Sequence, residues 1–367
     1  MEAISNILNG YGKLYGSDMD RHLLAHMASA LSEMPARALD PQSVASSLNA
    51  LVKTGYEDDG RDLCRRLSQI ALLLDPLLFD AQSVSTIMHS MAKLNLRDTK
   101  LFRRMAMIVG QMEYILEPQS IALVINACAK VEYRDEKLMT HLSRIACGLP
   151  AETFTPQHVE NMLNGYARLD MRDHTLFKHM AQVVFSLSLS LSLSVSLSLS
   201  LSPSPSLAHA LTSTHTQVRV LPVEAFDSQA VAIIMNSYAR VMTQDAVTAD
   251  VFYYLSKEVL PHIAAVNLQA TSLSIILNAF AKAEIRDDEA IGRLCSMIVA
   301  RDSLLLQGGI GGIPVDQFDG RHIASVLHAV ATLHVEVYFF IFYFFRICPA
   351  CRCYSAYRDL HLLIPVW

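Results

Sequence analysis

The chain has no surplus of positive charge. Lys and Arg number 30 against 35 Asp and Glu, a formal net charge of -5. No global field draws it to nucleic acid, so any phosphate contact must come from a local stripe. Long apolar runs are also missing. The tail stretch Val337 to Phe345 ends after nine residues at Arg346, well short of the ~20 that a membrane helix needs. No nucleophile stands with a base at fixed spacing, and His26, His141 and His179 recur without partner acids, which leaves catalysis without a site. Gly308 to Gly312 is glycine-rich but lacks the Lys-Ser/Thr and the preceding strand of a phosphate loop, so it reads as an inter-helix insertion. Of seven Cys, Cys64, Cys128, Cys147 and Cys295 occupy apolar helical positions and read as reduced core thiols. Cys348, Cys351 and Cys353 fit no common zinc spacing, even with His361 as a fourth ligand. Nor does an Arg-rich, acid-poor leader precede Ile4 to Leu14, which already fit the pattern below. The expectation is a chain that is not an enzyme, with no metal, no cofactor, no small-molecule substrate and no membrane.

What the chain does have is one phrase that returns. Asn-x-apolar-Ala-Lys/Arg-apolar follows a Pro-Gln-Ser-Val type start by about eight residues. Aligned on Asn9, Asn49, His89, Asn126, Asn164, Asn236, Asn278 and His328, the steps are 40, 40, 37, 38, 72, 42 and 50 residues. A period of roughly 38 residues means stacked supersecondary units, each too small to bury its own apolar face.

The run Pro118 to Val131 shows the unit's logic. Pro at a first helical position followed by apolar residues at helical spacing starts a helix. At 100° per residue, Ile121, Val124, Ile125, Cys128 and Ala129 share one face, and Gln119, Asn126 and Lys130 share a narrow stripe opposite. A short loop then opens a second amphipathic helix near Arg134 to Met139. In seven consecutive units an Asp stands nine residues after the Asn or His: Asp18, Asp58, Asp98, Asp135, Asp173, Asp245 and Asp287, placed to cap that second helix. The predicted fold class is all-α, an α-solenoid of about seven stacked helical hairpins.

In such a stack, equivalent positions form ladders. One is Gln42, Gln82, Gln119, Gln157 and Gln229. A second is Asn9, Asn49, His89, Asn126, Asn164, Asn236 and Asn278. A third is basic: Lys13, Lys53, Lys93, Lys130, Arg168, Arg240 and Lys282. Cations spaced by one repeat and flanked by amides suit a single strand, with Lys and Arg on phosphates and Asn and Gln on base edges. Two blander explanations compete: a solvated face, on which Lys and Arg are common, and an amide ladder that bonds neighbouring repeats to each other. A solvated face would tolerate Glu or Ser equally, whereas the third column is basic in seven of eight units.

The phrases PQSVASSLNALVKTGYEDDGRDL, AQSVSTIMHSMAKLNLRDTKLF, PQSIALVINACAKVEYRDEKLM and PQHVENMLNGYARLDMRDHTLF resemble organellar α-solenoid RNA-binding repeats. The octotricopeptide and heptatricopeptide repeats of RAP-domain proteins and the helical pairs of FAST-kinase-like proteins are the similar classes. The resemblance covers residues 1–184 and 227–335. It implies sequence-selective binding of single-stranded organellar RNA in processing, stability or translation, with ribonucleoprotein or ribosomal proteins as further partners. It also implies residence in a mitochondrion or plastid. No RAP-like module is recognisable after Val335, so no nuclease activity carries over. The alternative is a protein-protein interaction scaffold of the tetratricopeptide or armadillo type, which the acidic net charge favours.

Two segments break the pattern. Residues 186–202 alternate Ser and Leu, as a TC dinucleotide tract encodes. With the loop that follows, the segment 185–226 reads as a low-complexity insertion without function. The hydrophobic, Cys-containing tail 336–367 reads as out-of-frame or intronic sequence and, if present, as an aggregation hazard.

Overall fold

The computed structural model describes residues 7, 10, 21–35, 38–55, 61–112, 116–185, 226–263, 268–299, 313 and 317–333. Regular structure among them is helical throughout, without a strand. The chain divides into two compact units, residues 1–154 with 161–179 and residues 155–160 with 180–367. In the first, α1 (Arg21–Glu33) precedes the hairpins α2 (Pro41–Thr54) with α3 (Arg61–Leu73), α4 (Ala81–Lys93) with α5 (Thr99–Val109), and α6 (Pro118–Val131) with α7 (Glu136–Gly148). The next hairpin, α8 (Pro156–Arg168) with α9 (174–185), contributes residues to both units. In the second unit, α10 (Ser228–Val241) pairs with α11 (Ala246–Tyr254), which continues through a π turn at Leu255–Val259 and a 3-10 turn at Leu260–His262. α12 (Ala270–Ala283) pairs with α13 (Asp288–Val299), and α14 is Gly320–Thr332.

First helices pack on first helices: α2 on α4 on α6, and α10 on α12 on α14. Second helices likewise pack on second helices, α1 on α3 on α5 on α7. Within each unit this is the stacking of an α-solenoid, in which every repeat supplies the apolar partner its neighbour lacks. Tyr166, Tyr238, Phe102, Phe252 and Phe280 are among the largest fully buried side chains. The one buried hydroxyl of Tyr166 is satisfied by donating to the Met139 carbonyl at 2.6 Å. Cys64, Cys128 and Cys295 are buried thiols outside any disulfide, and burial pushes the Cys128 thiol up to about 12.

The helix boundaries have local causes. Asp98, Asp135, Asp173, Asp245 and Asp287 each accept a backbone amide of the second helix they precede, at 2.9 to 3.1 Å. Asp18 and Asp58 lie outside the described residues. First helices are capped as well: Asp40, Asp80 and Asp227 accept the amides of Ser43, Ser83 and Ala230 at 2.7 Å, and Thr155 exchanges hydrogen bonds with His158. Most first helices end on a left-handed residue six places after the Asn/His column: Gly55, Asn95, Glu132, Asp170 and Glu284, with φ of 51° to 64°. The next amide returns to the carbonyl five residues back, Leu96 to Met91, Tyr133 to Cys128 and Met171 to Tyr166, each at 2.9 Å. This closure satisfies carbonyls that a helix end otherwise leaves bare, which offsets the strain of a positive φ on residues with a Cβ.

Successive second helices are also stitched. The sixth residue is Arg in α3, α5 and α13; Arg66 donates to the Met34 carbonyl and Arg104 to the Leu74 carbonyl at 2.7 Å, and Arg293 to that of Ser256 at 3.4 Å. A cation against the carbonyl end of the preceding helix is favourable on dipole grounds. His26, His141 and His179 hold this same sixth position in α1, α7 and α9, and the His179 ring meets Phe154, in the turn after α7, edge-on at 6.3 Å. The Ser68 hydroxyl donates to the capping carboxylate of Asp98 at 2.6 Å, tying one repeat's cap to its predecessor.

Among the described residues, no helix is long and apolar enough to cross a membrane. None of them forms a cluster of three metal-ligating side chains. The Ser/Leu tract, the Gly308 to Gly312 run and the tail from Glu336 lie outside the described residues.

Candidate nucleic-acid interface

Each first helix buries its apolar face against its neighbours, which leaves one accessible strip. In α2 the strip is Gln42, Ser46, Asn49 and Lys53; in α4 it is Gln82, Thr86, His89 and Lys93. α6 presents Gln119, Leu123, Asn126 and Lys130, and α8 presents Gln157, Asn161, Asn164 and Arg168. α10 carries Gln229, Ile233, Asn236 and Arg240, and α12 carries Thr271, Ile275, Asn278 and Lys282. The spacing i, i+4, i+7, i+11 keeps all four on one helix face.

All five Gln are exposed. Asn49, His89, Asn126, Asn164, Asn236 and Asn278 are half-buried, sunk between adjacent helices. The basic column is exposed at Lys93, Arg168, Arg240 and Lys282 and half-buried at Lys53 and Lys130. Asn9 and Lys13 lie outside the described residues. In α14 the ladder stops, because Thr332 stands in the basic place.

Neighbouring rungs touch. The Asn126 amide donates to Asn161 Oδ1 at 2.9 Å, from α6 to α8. Lys282 Nζ donates to Asn236 Oδ1 at 3.3 Å, from α12 back to α10. The repeat-bonding explanation of the amide column is therefore realised at these two places, where one polar group of each amide is engaged and others remain for a ligand.

Electrostatics show the cations acting on one another. Burial, with added repulsion from Lys93 on its own helix and Lys130 on the next, holds the His89 imidazole below its ordinary range and neutral at pH 7. Lys282 is pushed down by burial and by Arg240 of the preceding first helix. Among the described residues, Lys93, Arg168, Arg240 and Lys282 form no ion pair. The loops at the ends of the same helices behave oppositely. Arg97 bonds both oxygens of Glu132 at 3.3 Å, and Gln244 donates to Glu284 at 2.7 Å, each reaching the following repeat.

Sequence reasoning missed the second position of the strip, Ser46, Thr86, Leu123, Asn161, Ile233 and Ile275. It is half-buried in every one of these helices, and its variety of residue types hides it from a search for uniform columns. Between α2 and α4 this position lines a cleft of about 130 Å³, formed by Gln42, Ala45, Ser46, Asn49, Asp80, Gln82, Ser83 and Thr86.

No curated protein matches the chain. A family does: the model of the RNA-editing substrate-binding complex 6 protein matches residues 11–200, from the first repeat through α9 and into the Ser/Leu tract. With a little over half its length matched, the chain belongs to the RNA-editing substrate-binding complex 6 protein family.

Proposed function

We propose that the chain binds single-stranded RNA along the accessible strip of its first helices. It acts by occupancy, shielding or presenting RNA in organellar processing, stability or translation, and performs no covalent chemistry. The observation that carries this reading is the basic column. Arg240 repels Lys282 across neighbouring repeats, and Lys93, Arg168, Arg240 and Lys282 form no ion pair among the described residues. A polyanion relieves that repulsion, and the amides beside it offer donors and acceptors to base edges. The family's description joins a substrate of RNA editing to a complex, which supports RNA as ligand and proteins as neighbours. The resemblance to organellar repeats supports a mitochondrial setting.

A scaffold role has its own observation. Leu73, Leu77 and Leu78, at the end of α3 and in the turn after it, are 61 to 87 % exposed, and Met107 of α5 is 57 % exposed, an apolar surface of the kind protein partners cover. The test is ultraviolet crosslinking of the full chain in cells, with sequencing of bound RNA and identification of co-purifying proteins. Discrete transcripts, lost on joint replacement Lys93→Glu, Lys130→Glu and Arg168→Glu, would support RNA binding. Background RNA with a stoichiometric protein would refute it in favour of a scaffold.

A further inference from the structure

The cleft between α2 and α4 differs in chemistry from the rest of the strip. Its wall holds the amides of Gln42, Asn49 and Gln82, the hydroxyls of Ser46 and Thr86, and the Asp80 carboxylate, with no cation. Lys53 and Lys93 stand one helical turn beyond Asn49 and His89. A phosphate would meet a carboxylate and no counter-charge in the cleft, whereas a neutral group with donors and acceptors would be matched there. Charge and neutral polarity thus separate along each helix, as a strand with its backbone at one side and its bases at the other requires.

Size narrows the occupant. A cavity of roughly 150 Å³ takes a single benzene ring, and this one measures about 130 Å³. That is space for one six-membered ring between the walls. Asp80 already accepts the Ser83 amide through Oδ1, which fixes the carboxylate as an acceptor at the rim. A carboxylate accepts from the exocyclic amine of cytosine, and Ser or Thr bonds either donors or acceptors.

We propose that this cleft is a base slot for a pyrimidine of single-stranded RNA, and that Ser46 and Thr86, the second strip position on its two helices, decide which base it accepts. The inference rests on the RNA reading above. The equivalent residues divide into hydroxyl (Ser46, Thr86), amide (Asn161) and aliphatic (Leu123, Ile233, Ile275). Hydroxyl and amide discriminate by hydrogen bonds to base edges, and aliphatic residues offer only apolar contact. At α6 and α8 the bond from Asn126 to Asn161 leaves an acceptor on Asn126 beside donors on Asn161, a pair complementary to one base edge.

The experiment is selection of a randomised single-stranded RNA pool on the full chain, with sequencing of the retained fraction. Wild type should show one position enriched in pyrimidine that weakens by roughly tenfold in Thr86→Leu and in Ser46→Leu, with Thr86→Ser retaining it and circular dichroism unchanged. An identical sequence profile in both Leu variants, with RNA still retained, would overturn the slot and leave RNA binding standing. Failure of wild type to retain RNA at low salt would overturn both.

Discussion

The basic column makes a quantitative prediction about salt. Four of its cations lie on described helices of the first unit, Lys53, Lys93, Lys130 and Arg168. If each holds one phosphate of a single strand, log K should fall against log salt with a slope of about -3, from roughly -0.7 per contact. Between 50 and 200 mM salt the affinity would then drop about 50-fold. Joint replacement of Lys93, Lys130 and Arg168 by Gln removes three of these contacts, so the slope should fall to about -0.7 and the drop to about 3-fold. Gln keeps a polar side chain and a similar helix propensity, and removing a last-turn cation costs only about 0.3–1 kcal/mol of dipole interaction per site. Fluorescence anisotropy with a labelled single-stranded RNA reads both slopes, and thermal melting confirms the fold. An unchanged slope in the Gln variant would show that these cations hold no phosphate.

Three further outcomes follow from the packing. Burial, with repulsion from Asp227, raises the Glu160 carboxyl to about 7, so the folded state holds a proton that the unfolded state releases above its ordinary pKa of 4.5. Stability should therefore fall as pH rises from about 4.5 to about 7; Glu160→Gln should gain about 1–2 kcal/mol at pH 8, allowing for partial solvent screening, and little at pH 4.5, read from urea midpoints. Asp98→Ala loses both the α5 cap and the bond from Ser68, and should lose more stability, about 2 kcal/mol, than Asp245→Ala, about 1 kcal/mol, by the same measurement. A Cβ at Gly165 would stand 2.3 Å from Ile125 Cγ2 and 3.2 Å from the Ile125 carbonyl oxygen, so Gly165→Ala should destabilise by about 1–3 kcal/mol and lower Tm. A Gly165→Ala protein melting like wild type would mean that α6 and α8 can separate without loss.

The repeat, the two helices per unit and the Asp caps of the second helices were legible because each depends on one residue type at one spacing. Asp98, Asp135 and Asp173 recur wherever an amide needs an acceptor. The caps of the first helices were less visible: the Pro-Gln-Ser start draws attention to Pro, whereas Asp40, Asp80 and Asp227 in front of it, with Thr155 in the same place, accept the amides. Left-handed closures at Asn95, Glu132, Asp170 and Glu284 carry no glycine signal, because the returning hydrogen bonds and the packed loop impose the conformation. Nor does a sequence pattern announce that Arg66 and Arg104 reach a carbonyl 30 or 32 residues earlier. Of the strip, three columns were visible and the fourth was hidden by its own variety of residue types.

Position alone does not assign the basic column to a ligand. In α4, α6, α8, α10 and α12 a single residue of the last turn escapes burial, and it is the Lys or Arg. Helix-dipole complementarity and phosphate binding would both place the cation there. What separates them is how the stack treats charge from one repeat to the next. A few residues away, the loops set Glu132 against Arg97 and Glu284 against Gln244, so stacking readily brings an acid opposite a donor of the adjacent repeat. In the helical column it brings Arg240 against Lys282 and gathers Lys93 and Lys130 about His89. A dipole would be served as well by cations whose neighbours were acidic or neutral. Aligned cations disfavour one another in the free protein, and under the proposed reading an anion spanning neighbouring repeats would offset that cost.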